Sequence, residues 1–354
     1  MWRSRDGRRA AKLVTTVAVA AAAVVGVTAC GGDDSGGGSS SGGASTSADA
    51  NKHVNIAHFV AIQANPVEQV IIKSAKDTAR ANNATVTTFD SNNDVQRELA
   101  NCQDAIASKK YDAFILKAVS GPPLISCARQ AMDAGIPVVV QGTALGPKQT
   151  TEPQVPGIVG SAVTLSTTNG VAIADLTNRA CQKAKANPCK IIYLFGPVAF
   201  DYASITRKTF KDTVKAKYPN IKIVAEAAAN FDPDTGAQQA RQLLQVHPDI
   251  NVVVNDSDPV AIATEKVVAD LHKDKIITVG AGGSKVGVDA IKAGKQFGDT
   301  VILPATEAKA AALMAIKAAR KQNPGDTTID VTKDLSPVGT IVDGSNVDKY
   351  KPEW

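Results

Sequence analysis

Aromatic residues make up only 4% of this 354-residue chain, so the cores it builds must be aliphatic. The scarcity also removes the stacked rings that a single-stranded nucleic-acid groove needs. Its four histidines, His53, His58, His247 and His272, are scattered, and no two of its five cysteines have CxxC spacing, which argues against a zinc centre. Between residues 51 and 354 no GxSxG, P-loop or HExxH pattern occurs, which argues against a hydrolase or an NTPase. Long apolar runs are lacking too. The longest, Leu13 to Val27, is short of the roughly 20 residues that span a bilayer.

What that short run does have is context. Arg3, Arg5, Arg8, Arg9 and Lys12 precede it, and it ends in Val27-Thr28-Ala29-Cys30. The pattern predicts a signal peptide over 1–29 and resembles a bacterial lipobox, in which cleavage before the cysteine exposes a thiol for acylation at Cys30. Residues 30–51, almost entirely Gly, Ser, Ala, Thr and Asp, cannot bury enough apolar surface to offset their ordering entropy and predict a flexible tether. A body so held would sit at the outer face of the cell membrane, lipid-anchored and extracytoplasmic. Removing 1–29 takes away five basic residues and one acidic, and the formal charge falls from +5 to about +1. The basic balance therefore belongs to the signal, and no nucleic-acid partner is implied.

Four cysteines remain in the exported body, and an even count in that compartment predicts disulfides. Cys181 and Cys189 bracket the end of a helix and the start of a strand. Cys102 and Cys127 lie on the helices either side of a strand at Tyr111–Lys117. These are the two pairs expected.

From Val54 onward strands and helices alternate. The first unit is a strand at Val54–Val60, a polar turn Gln63-Ala64-Asn65-Pro66, a helix from Val67 to Asn82, and a strand at Thr85–Phe89 ending in Asp90-Ser91-Asn92-Asn93-Asp94. Polar side chains thus gather past the carboxyl ends of two neighbouring strands, where open parallel sheets bind ligands. They offer amides and carboxylates but no nucleophile paired with a base. Recognition is expected there, not reaction. A second series starts with a strand at Gly157–Ser161 and runs to a strand at Gln296–Leu303, before a long helix from Thr306 to Lys321 and an extended tail. Two such runs predict two α/β lobes, each a doubly wound parallel sheet.

In the order of its motifs, the chain from about residue 52 to 350 resembles the ABC-importer solute-binding proteins of the ribose, galactose and xylose cluster. The features that carry this are Asn65-Pro66 after the first strand, the Asp90-Ser91-Asn92-Asn93 turn, and Leu99-Ala100 with Gln103-Asp104 on the next helix. Ala134-Gly135-Ile136-Pro137-Val138-Val139, Asn230-Phe231-Asp232, His247-Pro248-Asp249 and the tail Asn346-Val347-Asp348-Lys349-Tyr350 follow. The resemblance implies the type I periplasmic-binding-protein fold, with two lobes joined by a three-segment hinge crossing near 157–161, 302–304 and 323–328. The lobes would then be 52–158 plus 304–324, and 159–303 plus 325–354. It also implies a solute held between closing lobes, a permease as partner, a monomeric body, and no catalytic group, metal or cofactor.

Carried over position by position, the resemblance points to Asn65, Asn93, Asp94, Phe231, Ser257 and Asp258 as ligand contacts. Phe200, Tyr202 and, one register off, Arg207 face the same edge. Glu68, Thr143 and Gly282 stand at family ligand positions with altered side chains. Gln141 is a candidate, with Lys117 and Arg207, to compensate for an Asp-Arg pair that the family often carries, and Lys117 ends an apolar strand, where it either reaches solvent or points into the cleft. Asn65 and Asp258 also suit helix starts. The family's sugar binders often follow Ile-Pro-Val-Val with Asp-Arg, where this chain has Gly142 and Thr143. Such departures predict a roomier, less polar cleft than a pentose or hexose site. Two other function classes stand beside this one. Gly280-Ala281-Gly282-Gly283 has the wrong spacing and position for a dinucleotide loop, and a sensory module signalling to a membrane receptor would use the same two-lobe closure as an importer.

Overall fold

The computed structural model describes residues 51–354, and the expectations for Cys30, the signal segment and most of the tether lie outside the described residues. The described residues all belong to one compact unit by their own contacts. The first unit of the chain is β1 (Val54–Val60), α1 (Pro66–Ala81), β2 (Ala84–Asp90), α2 (Val95–Ser108), β3 (Ala113–Leu116), α3 (Gly121–Asp133), β4 (Val138–Gly142) and β5 (Gly160–Val163). The second runs α4 (Ser166–Lys183), β6 (Cys189–Phe195), α5 (Asp201–Lys217), β7 (Ile221–Ala228), α6 (Pro233–Val246), β8 (Val252–Asn255), α7 (Asp258–Asp270), β9 (Ile277–Val279), α8 (Lys285–Lys292) and β10 (Gly298–Thr300). Then come α9 (Pro304–Ala319), β11 (Thr328–Asp330), α10 (Val331–Leu335) and β12 (Ile341–Asp343).

Two six-stranded sheets result, ordered β11-β5-β4-β3-β1-β2 and β12-β10-β9-β8-β6-β7. Every pairing is parallel except β10 with β12. The apolar strands are buried on both faces, and alternate residues serve different cores: Ile56, Ala113, Ile115 and Val139 on one side of the first sheet, Ala57, Phe59, Phe114, Leu116, Val138 and Val140 on the other. This two-sided burial explains why the strands read as unbroken apolar runs. The second sheet is covered likewise, with Ile191 and Tyr193 facing one core and Ile192 and Leu194 the other. Both expected disulfides are closed, Cys102–Cys127 between α2 and α3 and Cys181–Cys189 between α4 and β6.

The strand at 160–163 corrects the expected boundaries. Instead of opening the second series it pairs with β4 in the first sheet, and β11, assigned from sequence to the second lobe, pairs beside it. A four-residue strand such as Gly-Ser-Ala-Val is buried in either sheet, and only its long-range hydrogen bonds decide which one it joins. The chain therefore leaves the first lobe after Val163, and it leaves again after β11. Helix α9 packs against α1 and the back of β3, β4 and β5, which places it in the first lobe.

Candidate functional site

The segments that follow β3 and β6 at their carboxyl ends touch each other, and the first lobe's edge is built around one buried lysine. Asn65 caps α1, its Oδ1 accepting from the Val67 amide at 2.8 Å, with Pro66 at the first helical position, where the missing N–H costs nothing. Capping fixes the first turn, and Glu68 then turns inward to an ion pair with the Lys117 ammonium just past β3. Lys117 thus neither reaches solvent nor stands free. Burial, the largest influence on it, pulls its basicity down, but Glu68, Glu307 and Glu98 together hold it above the ordinary lysine value.

The stem of Lys117 lies where the resemblance expected an aspartate. Gly142 adopts a φ of +70°, and a Cβ there would stand 2.9 Å from Lys117 Cε and 3.1 Å from Glu307 Oε1. Only glycine meets both demands. The expected extra room is therefore filled by Lys117 and Glu307, and the expectation of a less polar cleft fails with it. Glu307, in the first turn of α9, accepts from Gln141 Nε2 at 3.2 Å and from Thr164 Oγ1 at 2.8 Å. Burial pushes its carboxyl up to about 7 against the opposing pull of Lys117. Glu98 of α2 is likewise pushed up to about 7 by burial, while its Oε1 accepts from the Val119 amide at 3.0 Å. His58 lies wholly buried beside Gln141, and desolvation lowers it to about 4, so it is neutral at pH 7. Thr143 is buried next to this cluster.

The loop after β2 is structural in large part. Asp90 Oδ1 accepts from the amides of Gln63 and Asn92 at 3.1 and 2.9 Å, and Asp94 caps α2 through Gln96 and Arg97 at 2.8 and 3.2 Å. Asn93 is exposed, with a left-handed φ of 58°, and its amide donates to Ala61 O.

On the second lobe's edge, Phe200 and Tyr202 lie with ring centroids 6.0 Å apart, and Lys117 Nζ of the first lobe is 6.0 Å from the Phe200 centroid. Burial, then the charges of Asp256 and Glu307, raise the Tyr202 phenol well above its ordinary range; these two acids belong to different lobes. Phe231 follows Asn230 at left-handed φ, and its ring covers Gly196, where a Cβ would fall 2.3 Å from Cε1. Arg207 is held within the second lobe, paired with Glu226 at 2.6 Å and stacked 3.9 Å over the Phe195 ring.

Ser257, not Asp258, is the N-cap residue of α7, and Ser257 Oγ is buried without a hydrogen-bond partner. Asp258 occupies the first helical position and turns fully inward, accepting from the Ser284 amide at 2.6 Å. Beside it lies Asp299, whose carboxyl is raised well above the carboxylate range by burial first and then by Asp258. Gly282 is covered by the Trp354 indole, which donates to its carbonyl at 3.0 Å. Asp258 and Gly282 are thus packed into the second lobe, while Lys117, Glu68, Phe200 and Tyr202 gather where the lobes meet.

Glu98, Glu307, His58 and Asp256 escaped the sequence reading. Asp256, buried and pushed up to about 7 by desolvation, accepts from the Gly196 amide at 2.7 Å. The signal for two of the others was present: Glu98 shares a buried stripe with Cys102 and Ala105, and Glu307 with Ala308, Ala311 and Ala315. An acid on the apolar stripe of a helix marks a buried charge awaiting a partner.

The family model for the periplasmic binding protein domain matches residues 56–323. The D-apiose import binding protein of Paraburkholderia graminis is 26% identical over 239 residues, covering 66% of this chain and 72% of that protein. The ribose import binding protein of Salmonella typhimurium is 24% identical over 260 residues, covering 73% and 83%. Among solved structures, an ABC transporter periplasmic solute-binding protein from Actinobacillus succinogenes with bound D-allose superposes with a TM-score of 0.70 at 20% identity, over 84% of this chain and all of that one. At that identity the likeness is one of fold.

Proposed function

Because the chain belongs to the periplasmic-binding-protein family, we propose that it is the extracytoplasmic solute-binding protein of an ABC importer. Its solute is small, uncharged and polyhydroxylated, a sugar or a polyol. The observation that carries this is the set of buried polar atoms without partners at the facing sheet edges: Glu68 Oε2 and Glu98 Oε2 on the first lobe, and Ser257 Oγ on the second. An ionised carboxylate oxygen only accepts, while the Glu98 carboxyl, raised to about 7, can accept or donate; hydroxyl groups, which do both, match the whole set. Each hydroxyl lacking in a competitor would leave one of them desolvated and unpaired, which is the source of selectivity.

Lys117 supplies the complementary donor beside them. Phe200, Tyr202 and Phe231 supply ring faces for the apolar C–H side of a sugar. An anionic solute would meet Glu68, Glu98, Glu307 and Asp256 around Lys117, a cation already paired with Glu68, and is disfavoured. The relatives named for import of D-apiose and ribose bind solutes of the favoured class by their names. Asn65, Asn93, Asp94, Gln141 and Thr143 stand at the rim or beneath the cleft and shape it. Asp258, Gly282 and Arg207 act through packing within the second lobe.

Ligand touching both lobes stabilises the closed form, because those contacts exist together only when the hinge is shut. The closed body then docks on the permease as a monomer, tethered to the membrane through acylated Cys30. It carries out no reaction of its own. The test is a thermal-shift screen of residues 51–354 against sugars, polyols, sugar acids and amino acids. A bound solute at a hundred times its Kd adds about 2.7 kcal/mol to stability, a shift easily read. A shift with neutral sugars or polyols alone is the expected result, and a shift only with acids would overturn the reading of the cleft.

A further inference from the structure

Two helix N-termini meet across the cleft, and neither is capped by its own side chain. Ser120, the N-cap residue of α3, and Phe200, the N-cap residue of α5, make no side-chain cap bonds. Between them stands one carboxylate. Asp201, in the first turn of α5 on the second lobe, accepts through Oδ2 from Ser120 Oγ at 2.9 Å and from the Gly121 amide at 3.3 Å, both on the first lobe. Each N-terminus carries partial positive charge, so bringing the two together would cost energy without an anion between them. The Asp201 carboxylate removes that cost and satisfies an amide of α3 that its own cap leaves open.

The receiving end is held ready for it. Glu98 of the first lobe accepts from the Val119 amide at 3.0 Å, which fixes the residue that leads into Ser120. The strand, the cap and the helix start therefore arrive in one geometry. Asp201 also sits between Phe200 and Tyr202, so its bond carries both rings toward Lys117.

We propose that Asp201 is a positioning residue that latches the two lobes by capping α3 across the cleft, so that closure is favoured by the protein's own atoms before any solute adds its contacts. The latch rests on the two-lobed closure described above but not on the identity of the solute. Solute affinity then depends on Asp201 through the population of the closed form, since a binding-competent state that is rarer binds more weakly in proportion. A hydrogen bond to a charged group is strong enough that its loss lowers the closed-to-open ratio by about tenfold or more.

Small-angle X-ray scattering of residues 51–354, which contain both sheets and both disulfides, tests this with no solute present. The expected result is a compact wild type, a larger radius of gyration for Asp201→Ala, and an intermediate one for Asp201→Asn, which keeps the shape and loses the charge. Raising the salt should expand the wild type toward the variants, since the contact is electrostatic and near the surface. Ser120→Ala, which removes one donor on the opposite lobe, should expand the protein in the same sense and serves if Asp201→Ala fails to fold. A wild type as expanded as the variants, or variants as compact as the wild type at every salt concentration, overturns the latch. A silent solute screen would count against the proposed solute class and leave this scattering result standing.

Discussion

Replacing Lys117 by Met should destabilise the protein strongly at neutral pH and weakly in acid. The side chains of Lys117 and Glu68 are 9% and 5% exposed, so the pair is largely out of water. Breaking a buried pair by removing one partner costs about 3–5 kcal/mol, because the other charge is left uncompensated. An upper bound comes from proton uptake. A glutamate of ordinary acidity can be neutralised at pH 7.5 for about 4 kcal/mol and at pH 5.5 for about 2 kcal/mol. Glu98 and Glu307 add to the effect, since Lys117 lowers both from where burial would place them. The variant should therefore lose about 4 kcal/mol at pH 7.5 and about half of that at pH 5.5. For a body this size the former corresponds to a melting temperature lower by about 6 °C. Thermal melts of wild type and variant at the two pH values make the comparison. The double variant Lys117→Met with Glu68→Gln should recover most of the loss, since it removes the carboxylate that Lys117 pairs directly and leaves only the smaller share that Glu98 and Glu307 contribute. A loss independent of pH, or a double variant no better than the single, would refute the account of the cluster as a charge-balanced site.

His58 contributes stability that is complete above pH 6.5, its ordinary value, and is lost as pH falls toward about 4, because the unfolded chain binds the proton that the folded chain excludes. The full effect is about 3 kcal/mol, and urea unfolding of His58→Gln between pH 4 and 7 should show a shallower acid limb than wild type. Asp299 acts in the opposite sense. Its raised folded value means the native state holds a proton that the unfolded state has released, so stability falls as pH rises above the ordinary carboxylate range. Asp299→Asn should flatten that decline in melts from pH 5 to 9, and an unchanged slope would exclude a proton held on Asp299 in the folded state. Phe231→Ala should weaken solute binding at least about tenfold with the fold intact, as read by titration calorimetry; normal affinity would remove Phe231 from the cleft. Cys30→Ser should shift the protein out of the membrane fraction, and continued anchoring would mean that the lipobox assignment is wrong.

Much of the fold was legible because its signals are local. Unbroken apolar strands such as Val138-Val139-Val140 can only be covered on both faces, and Asn65-Pro66 announces a helix start whatever surrounds it. The disulfide pairs followed from helices that flank one strand or one turn. The site was legible only in outline. Lys117 stood out as a charge closing an apolar strand, but whether it met solvent or a partner depended on Glu68, 49 residues earlier, turning inward from a capped helix. Asn65, Asp94 and the Asp90 turn looked like ligand groups and proved to be bonded to nearby amides, because Asn and Asp side chains serve both purposes with the same atoms.

Periodicity, caps and composition by themselves determined that this is a two-lobed α/β body of aliphatic cores, since each of those features acts within a turn or a strand of its own residue. Tertiary structure alone decided that β5 and β11 belong to the first sheet. It alone brought Glu307 to Gln141 across 166 residues, and set Asp201 against the start of α3, 80 residues back. Those contacts join groups that any local rule would leave in solvent, and their energy exists only once the chain between them has folded and excluded water.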